Sequence, residues 1–339
     1  MGIPLLQQRR IGMYIAGQLL RGQSRFPLVL MLEPLFRCNL KCKGCGKISQ
    51  PPEILAKHLS VQECVDAAEE CGAPVVSIAG GEPLLHPDIE TIVEQLVERK
   101  RFVYLCTNSL LLEKKMEGTP GFRPSPYLSF NIHFDGLAER HDAAVCLEGA
   151  FERASKAISM LVSAGFRVTT NTTFFKGQTF EDAAALFDHL TSLGVEAMTV
   201  AAGFNYENAA DQDNFLGREG TRKLFREILQ RKKPSWTFNH SAMYLDFLAG
   251  NQNLACTPWG NPTRSVLGWQ RPCYLLNDGY VSSYRELMED TDWSNYGQGN
   301  NPRCAHCMLH CGFEPSAVVE TMRKPWKAAM LALRGPGRK

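Results

Sequence analysis

Between about residue 27 and residue 201 the chain repeats one pattern about six times: a short apolar, β-branched run, then a longer stretch with apolar residues at helical spacing. The runs are Pro27–Leu32, Val75–Ala79, Phe102–Cys106, Leu128–Phe134, Arg167–Phe174 and Ala197–Ala201. Between them, Ser60-Val61-Gln62-Glu63 reads as a capping box ahead of Val61, Cys64, Val65, Ala68 and Cys71. Further helices are expected near 87–99, through Phe151, Ala154, Ile158, Leu161 and Val162, and near 180–191. Strands alternating with helices predict a parallel α/β sheet. Six units fall short of the eight that close a TIM barrel. Ligands in such sheets sit at the carboxyl ends of the strands, so the residues just after each strand matter most.

Beyond about residue 240 the pattern lapses. Pro, Gly, Asn and Trp rise, and five cysteines fall between 256 and 311. The expected organisation is a basic helical segment at 1–26, a core at 27–240, a Cys-rich module at 241–315 and a basic helix or tail at 316–339. A net charge of +2 does not point to nucleic acid. That charge is uneven. Residues 1–32 hold Arg9, Arg10, Arg21 and Arg25 with no acid; residues 321–339 hold Arg323, Lys324, Lys327, Arg334, Arg338 and Lys339 with no acid. Such ends either pack on the body or meet an anionic membrane surface. No segment reaches the ~18 apolar residues of a spanning helix, and the start lacks the apolar run of a signal peptide. A cytoplasmic protein is expected, with peripheral contact at the inner membrane face as an option. Twelve cysteines in a reducing compartment speak for metal or redox chemistry rather than disulfides.

The first strand leads directly into Cys38-Asn39-Leu40-Lys41-Cys42-Lys43-Gly44-Cys45. Three thiolates on a tight loop suit three irons of a cubane cluster and leave the fourth open to bind a ligand, whereas an electron carrier uses four cysteines. Structural zinc is the rival, but it asks for four ligands. One strand–helix unit later comes Gly80-Gly81-Glu82-Pro83, where the glycines permit close backbone approach and Glu82 is an acceptor for an ammonium group.

The triad and this second motif resemble the radical S-adenosylmethionine (SAM) superfamily. The resemblance implies a partial (β/α)6 TIM-like barrel with a C-terminal, SPASM/twitch-like Cys-rich module. It also implies a [4Fe-4S] cluster on Cys38, Cys42 and Cys45 and SAM chelated at the open iron. The SAM cradle would be Gly80, Gly81, Glu82 and Pro83, with ribose contacts from Asn131, His133, Asp135 and Asn171, near Arg140-His141-Asp142. The position before the last cysteine is usually aromatic in that family and lies near the adenine; here it is Gly44, which leaves the adenine contact unassigned. Longer stretches, among them 27–48, 73–86, 102–115, 245–252 and 256–276, resemble the adenosyl hopene transferase family of bacterial hopanoid biosynthesis. That resemblance implies addition of a 5′-deoxyadenosyl radical to the membrane triterpene diploptene, with an electron donor such as flavodoxin or ferredoxin.

Such an addition ends in a carbon radical that needs a hydrogen atom. Cys106 ends the third strand, and its S–H is the expected donor; the alternative is a small core residue. In the C-terminal stretch, Cys256, Cys273, Cys304 and either Cys307 or Cys311 could hold a second [4Fe-4S] cluster. Zinc, with His306 or His310, and no metal at all are the other readings. Trp236, Trp259, Trp269 and Phe204 are candidates for an apolar substrate lining or for core. Two rival classes remain: another radical SAM enzyme with an auxiliary cluster, acting on a peptide or small molecule, and a non-enzymatic iron–sulfur or zinc protein.

Overall fold

The computed structural model describes residues 2–117, 121–204 and 213–338; Lys339 of the basic tail lies outside them. Nine strands form one sheet: β1 (Val29–Glu33), β2 (Val75–Ile78), β3 (Phe102–Thr107), β4 (Leu128–His133), β5 (Arg167–Phe174), β6 (Ala197–Ala202), β7 (Thr263–Ser265), β8 (Gly268–Pro272) and β9 (Asn277–Val281). Their order is β6-β5-β4-β3-β2-β1-β7-β8-β9. β1 to β6 and β7 pair in parallel, and β8 and β9 turn back antiparallel.

The helices are α1 (Leu5–Leu20), α2 (Pro52–Leu55), α3 (Val61–Cys71), α4 (Ile89–Glu98), α5 (Leu112–Met116), α6 (Ala138–Val145) and α7 (Ala150–Ser163). They continue with α8 (Phe180–Ser192), α9 (Gly217–Gln230), α10 (Ala242–Leu248), α11 (Tyr284–Asp290), α12 (His310–Arg323) and α13 (Pro325–Arg334). The capping box at Ser60 forms as expected, the Ser60 side chain accepting from Glu63 N–H and the Glu63 carboxylate from Ser60 N–H.

Alternation along the strands separates two faces. One face, with Leu30, Leu32, Val76, Ile78, Val103, Leu105, Phe130, Ile132, Val168 and Val200, joins the main core with helix residues such as Ile92, Leu96, Ile158, Leu161, Leu186 and Phe187. The other face is polar toward the carboxyl end: Ser77, Cys106, Asn131, His133, Thr169 and Asn171. At the opposite end it is closed by α1, where Ile11 packs with Val75, Phe102 and Tyr104. Gln7 is buried there and donates to Tyr104 Oη at 3.0 Å.

The compositional break at residue 240 does not break the sheet. β7 lies beside β1, with Met31 opposite Thr263 and Glu33 opposite Ser265, so the Cys-rich stretch extends the barrel wall before it becomes loop-rich. Trp236 and Trp269 are fully buried core residues, and Trp259 packs edge-on against Trp293. Among the described residues no helix is long and apolar enough to cross a membrane.

Candidate active site

The triad loop leaves β1 and is held in place from two sides. Lys43 N–H donates to Ala144 O at 3.0 Å, and Cys45 N–H to Cys42 O at 3.2 Å. Cys38 and Cys42 pack against Leu40, Val145 and Ala150. Leu40 N–H (3.4 Å) and Asn108 Nδ2 (3.8 Å) point at Cys38 Sγ. Burial, against the Leu40 backbone donor, pushes the Cys38 thiol up to about 11. Burial and the neighbouring Cys45 push Cys42 up to about 12. Half-buried thiols with N–H donors aimed at sulfur are a donor set that iron completes: the metal's positive charge offsets the burial that disfavours the thiolate. Among the described residues no three His, Cys, Asp or Glu side chains converge on one point as ligands of a lone ion do. A cubane asks for less convergence, because each thiolate binds its own iron.

The Gly80-Gly81-Glu82-Pro83 turn is built onto the triad loop. Gly81 N–H donates to Leu35 O at 3.0 Å, and Glu82 N–H to Arg37 O at 2.8 Å. A Cβ on Gly80 would run into the Leu35 carbonyl, and one on Gly81 into the Arg37 carbonyl. Gly80 also sits at φ +108°. The glycines thus serve the fit of two backbone segments. The Glu82 side chain is engaged within the protein. It is 1% exposed, and its carboxylate accepts from Leu84 N–H (3.0 Å), Thr107 Oγ1 (2.7 Å) and Asn108 N–H (2.8 Å). The side chain clamps the end of β2 to the end of β3. Burial raises its pKa to about 7 against those three donors.

On the polar wall, Cys106 lies directly across from Asn131. Its Sγ is 3.4 Å from Ser77 Oγ and 3.5 Å from Asn131 Nδ2, which donates. Asn131 Oδ1 in turn accepts from Thr169 Oγ1 at 3.1 Å. Burial raises the Cys106 pKa, so the group stays S–H at neutral pH. Further up the wall, His133 Nε2 is 2.9 Å from Asp135 Oδ2. Burial opposes charge on His133, but Asp135 outweighs it and the pKa rises. Asp135 Oδ1 accepts from Thr173 N–H at 3.0 Å, and Gln178 Nε2 donates to Asp135 O at 3.1 Å. Asn171 pairs across the sheet with His133. The four expected ribose residues therefore share one wall, but Asn131 is committed to Cys106 and Thr169. His141 is turned away beneath Phe134, its pKa held down to about 4 by burial and by His133.

Three residues escaped the sequence reading. Glu33, fully buried at the end of β1, pairs with Lys47 at 2.8 Å, two residues beyond Cys45, and Lys47 Nζ lies 4.5 Å from the Tyr274 ring centroid. Glu33 is the lone acid ending an apolar strand, which was a usable signal. Phe175 carried none: it follows β5, and its ring is 3.5 Å from where a Cβ on Gly44 would stand.

The C-terminal cysteines come together. Cys256, Cys273, Cys304, Cys307 and Cys311 all line one cavity, with Phe204, Pro258, Leu275 and Phe313. Burial, then the neighbouring sulfurs, holds Cys256 and Cys311 well above the ordinary thiol value; burial pushes Cys273 up to about 11 and Cys307 to about 12. Neither histidine of the zinc reading lines this cavity. His306 borders a separate pocket with Lys176 and Phe215, and His310 packs beside His240. Five sulfurs, in a lining that also includes Gln298 and Arg303, are the donor set of an iron–sulfur cluster or a four-thiolate zinc.

Residues 32–190 match the Radical SAM superfamily, and residues 198–331 match a domain of unknown function, DUF3463. An AdoMet-dependent heme synthase of Methanosarcina barkeri is 30% identical over 53% of this chain and 51% of its own length. The chain thus spans about half of that relative. A probable GTP 3′,8-cyclase of Methanococcus maripaludis is 23% identical over 77% of this chain and 89% of its own. Among solved structures, Streptococcus suis SuiB superposes with a TM-score of 0.64 at 18% identity, covering 94% of this chain and 78% of that one. This likeness shows the fold: a radical SAM partial barrel followed by a cysteine-rich C-terminal region. The cofactors of that domain are a [4Fe-4S] cluster and SAM. Residues 32–190, which carry the triad and the Gly-Gly-Glu-Pro turn, are thus similar to the Radical SAM superfamily.

Proposed function

We propose that the chain adds the 5′-deoxyadenosyl group of SAM to the exocyclic alkene of diploptene, forming adenosylhopane for hopanoid biosynthesis. The supporting observation is Cys106. Hydrogen abstraction leaves the enzyme with nothing to donate, whereas addition to an alkene leaves a carbon radical that must be quenched. A thiol kept as S–H and oriented by Ser77 and Asn131 on the polar wall suits that second task.

Cys38, Cys42 and Cys45 hold the cluster. When bound, it supplies the electron that breaks the sulfur–carbon bond of SAM to give methionine and the 5′-deoxyadenosyl radical. The turn at Gly80–Pro83 shapes the wall next to the triad loop, with Glu82 as its clamp. His133, Asp135 and Asn171 face the ribose. Cys106 gives the hydrogen atom of its Sγ to the tertiary carbon of the lipid. The thiyl left behind takes up one electron and one proton and returns to thiol. Each turnover therefore draws two electrons from a flavodoxin- or ferredoxin-type donor.

The second reading is a radical SAM enzyme with an auxiliary cluster that acts on a peptide or small molecule. The five-cysteine cavity favours it, as does the likeness to SuiB, one structure of which holds a precursor peptide. Anaerobic turnover of the cluster-loaded protein with diploptene, SAM and a strong reductant decides between them. The expected product is an adenosine-containing C35 adduct by mass spectrometry. Release of 5′-deoxyadenosine with diploptene untouched would sink the first reading.

A further inference from the structure

α1 has two unlike faces. Ile11, Tyr14, Ile15 and Leu19 turn inward onto Phe26, Leu28 and Val29, and meet Val318 and Val319 of α12. The opposite stripe carries Leu5, Leu6, Met13 and Leu20, all exposed, Leu20 by 89%. At ~100° per residue these four fall within about 100° of arc, with exposed Arg9 among them. α13 repeats the arrangement. Leu331 is buried, while Trp326, Met330 and Leu333, at i, i+4 and i+7, are exposed, Leu333 by 90%. Met322 of α12 is exposed just before them.

Exposed large apolar side chains are ordinarily scattered singly over a surface. Here, of nine among the described residues, eight lie on α1 and the α12–α13 end, and Leu137 alone lies elsewhere. The charge of the same segments is one-sided: residues 1–32 and 321–339 carry ten Arg and Lys and no acid. Apolar stripes flanked by cations describe helices that lie in a lipid interface. Each cation near an anionic leaflet adds attraction that salt screens. Lys324 and Lys327 share Glu320, and Arg334 pairs with Asp246; the other cations of these segments leave the surface net positive.

We propose that the outward faces of α1 and of the α12–α13 end form one docking surface for an anionic lipid bilayer. α1 contacts α12, and α12 contacts α13, which brings two distant ends of the sequence side by side. The proposal does not depend on which substrate the barrel takes.

The test is co-sedimentation of the cluster-loaded protein with vesicles of phosphatidylglycerol and phosphatidylcholine in equal parts, against phosphatidylcholine alone. Binding is expected to the first, weakened by added salt. It should fall about tenfold or more in Leu5→Ser/Leu20→Ser and in Trp326→Ser/Leu333→Ser. These side chains are exposed, so the unfolding curves of the variants should match that of the parent. Equal vesicle binding by parent and variants, or none by the parent, overturns the proposal. So does a lipid-free dimer that the same substitutions abolish, which would assign the stripes to a second copy of the chain.

Discussion

Phe175 stands over Gly44, its ring 3.5 Å from the point that a Cβ on Gly44 would occupy. The two residues are far apart in sequence: Gly44 belongs to the triad loop after β1, and Phe175 follows β5. Phe215 packs against Phe175 at 5.9 Å between centroids. A triad loop with an aromatic residue at position 44 would compete for this space. The chain instead leaves that position bare and brings a ring from the end of β5. A base stacked on such a ring gains ~1–3 kcal/mol. Phe175→Ala is therefore expected to weaken SAM binding about 10- to 100-fold, measured anaerobically by calorimetry on cluster-loaded protein. Adding Gly44→Tyr to Phe175→Ala should restore part of the affinity. Unchanged SAM affinity in Phe175→Ala would remove Phe175 from the adenine site.

Cys106 is held by Ser77 and Asn131 at the height where β3 leaves the sheet. In Cys106→Ala the saturated adduct should fall to near background while SAM cleavage continues. That split separates a hydrogen donor from a residue that merely shapes the wall, whose loss would slow both. In the parent, burial keeps the thiol protonated. The share of saturated product should then be flat across about pH 6–8. Saturated product formed by Cys106→Ala at the parent's rate would assign the hydrogen atom to another group.

The strands were legible because each is an apolar run that the sheet buries on one face: Arg167–Phe174 spans the strand seen, four others differ by one residue at their end, and Pro27–Leu32 is shifted at both ends against Val29–Glu33. The positions of the triad and of the Gly-Gly-Glu-Pro turn after strands, and of Cys106 near the end of β3, were legible, because a parallel sheet collects its ligands at that edge. What was not legible depends on long-range pairing. β7 is three residues, Thr263–Ser265, with no apolar signature; its partners β1 and β8 make it a strand. The burial of Glu82 follows from Thr107 and Asn108 on the next strand, which no local pattern around position 82 reveals. The meeting of five cysteines in one cavity was half legible: their number was plain, but the exclusion of His306 and His310 from its lining was not.

Glu82 should leave a mark on the pH dependence of stability. Burial raises its pKa from 4.5 to about 7 in the folded chain. A carboxyl group with a raised folded pKa favours the folded state below its unfolded value, and that contribution is lost as pH climbs through the folded value. The span corresponds to roughly 3 kcal/mol. Relative to Glu82→Gln, the parent is therefore expected to lose thermal stability between about pH 4.5 and pH 7 and to level off above. Glu82→Gln also sets an amide donor against the N–H groups that the carboxylate accepts from, so its stability should be lower at every pH. Denaturation curves of the two proteins with parallel pH dependence would show that Glu82 does not titrate in this range.

The cysteine cavity makes a stoichiometric prediction. Five sulfurs line it, and burial disfavours the thiolate of four of them, a cost that metal ligation offsets. With Cys38, Cys42 and Cys45 all changed to Ala, reconstituted protein is expected to keep iron and sulfide in equal amounts, about four of each per chain if a cubane forms. Cys256→Ala or Cys273→Ala on that background should remove both. The choice between Cys307 and Cys311 is read the same way: the substitution that leaves the iron in place marks the spare thiol. Zinc in place of iron, without sulfide, would make the site a structural tetrathiolate. Its removal should then lower the unfolding temperature and leave SAM cleavage by the intact triad unchanged.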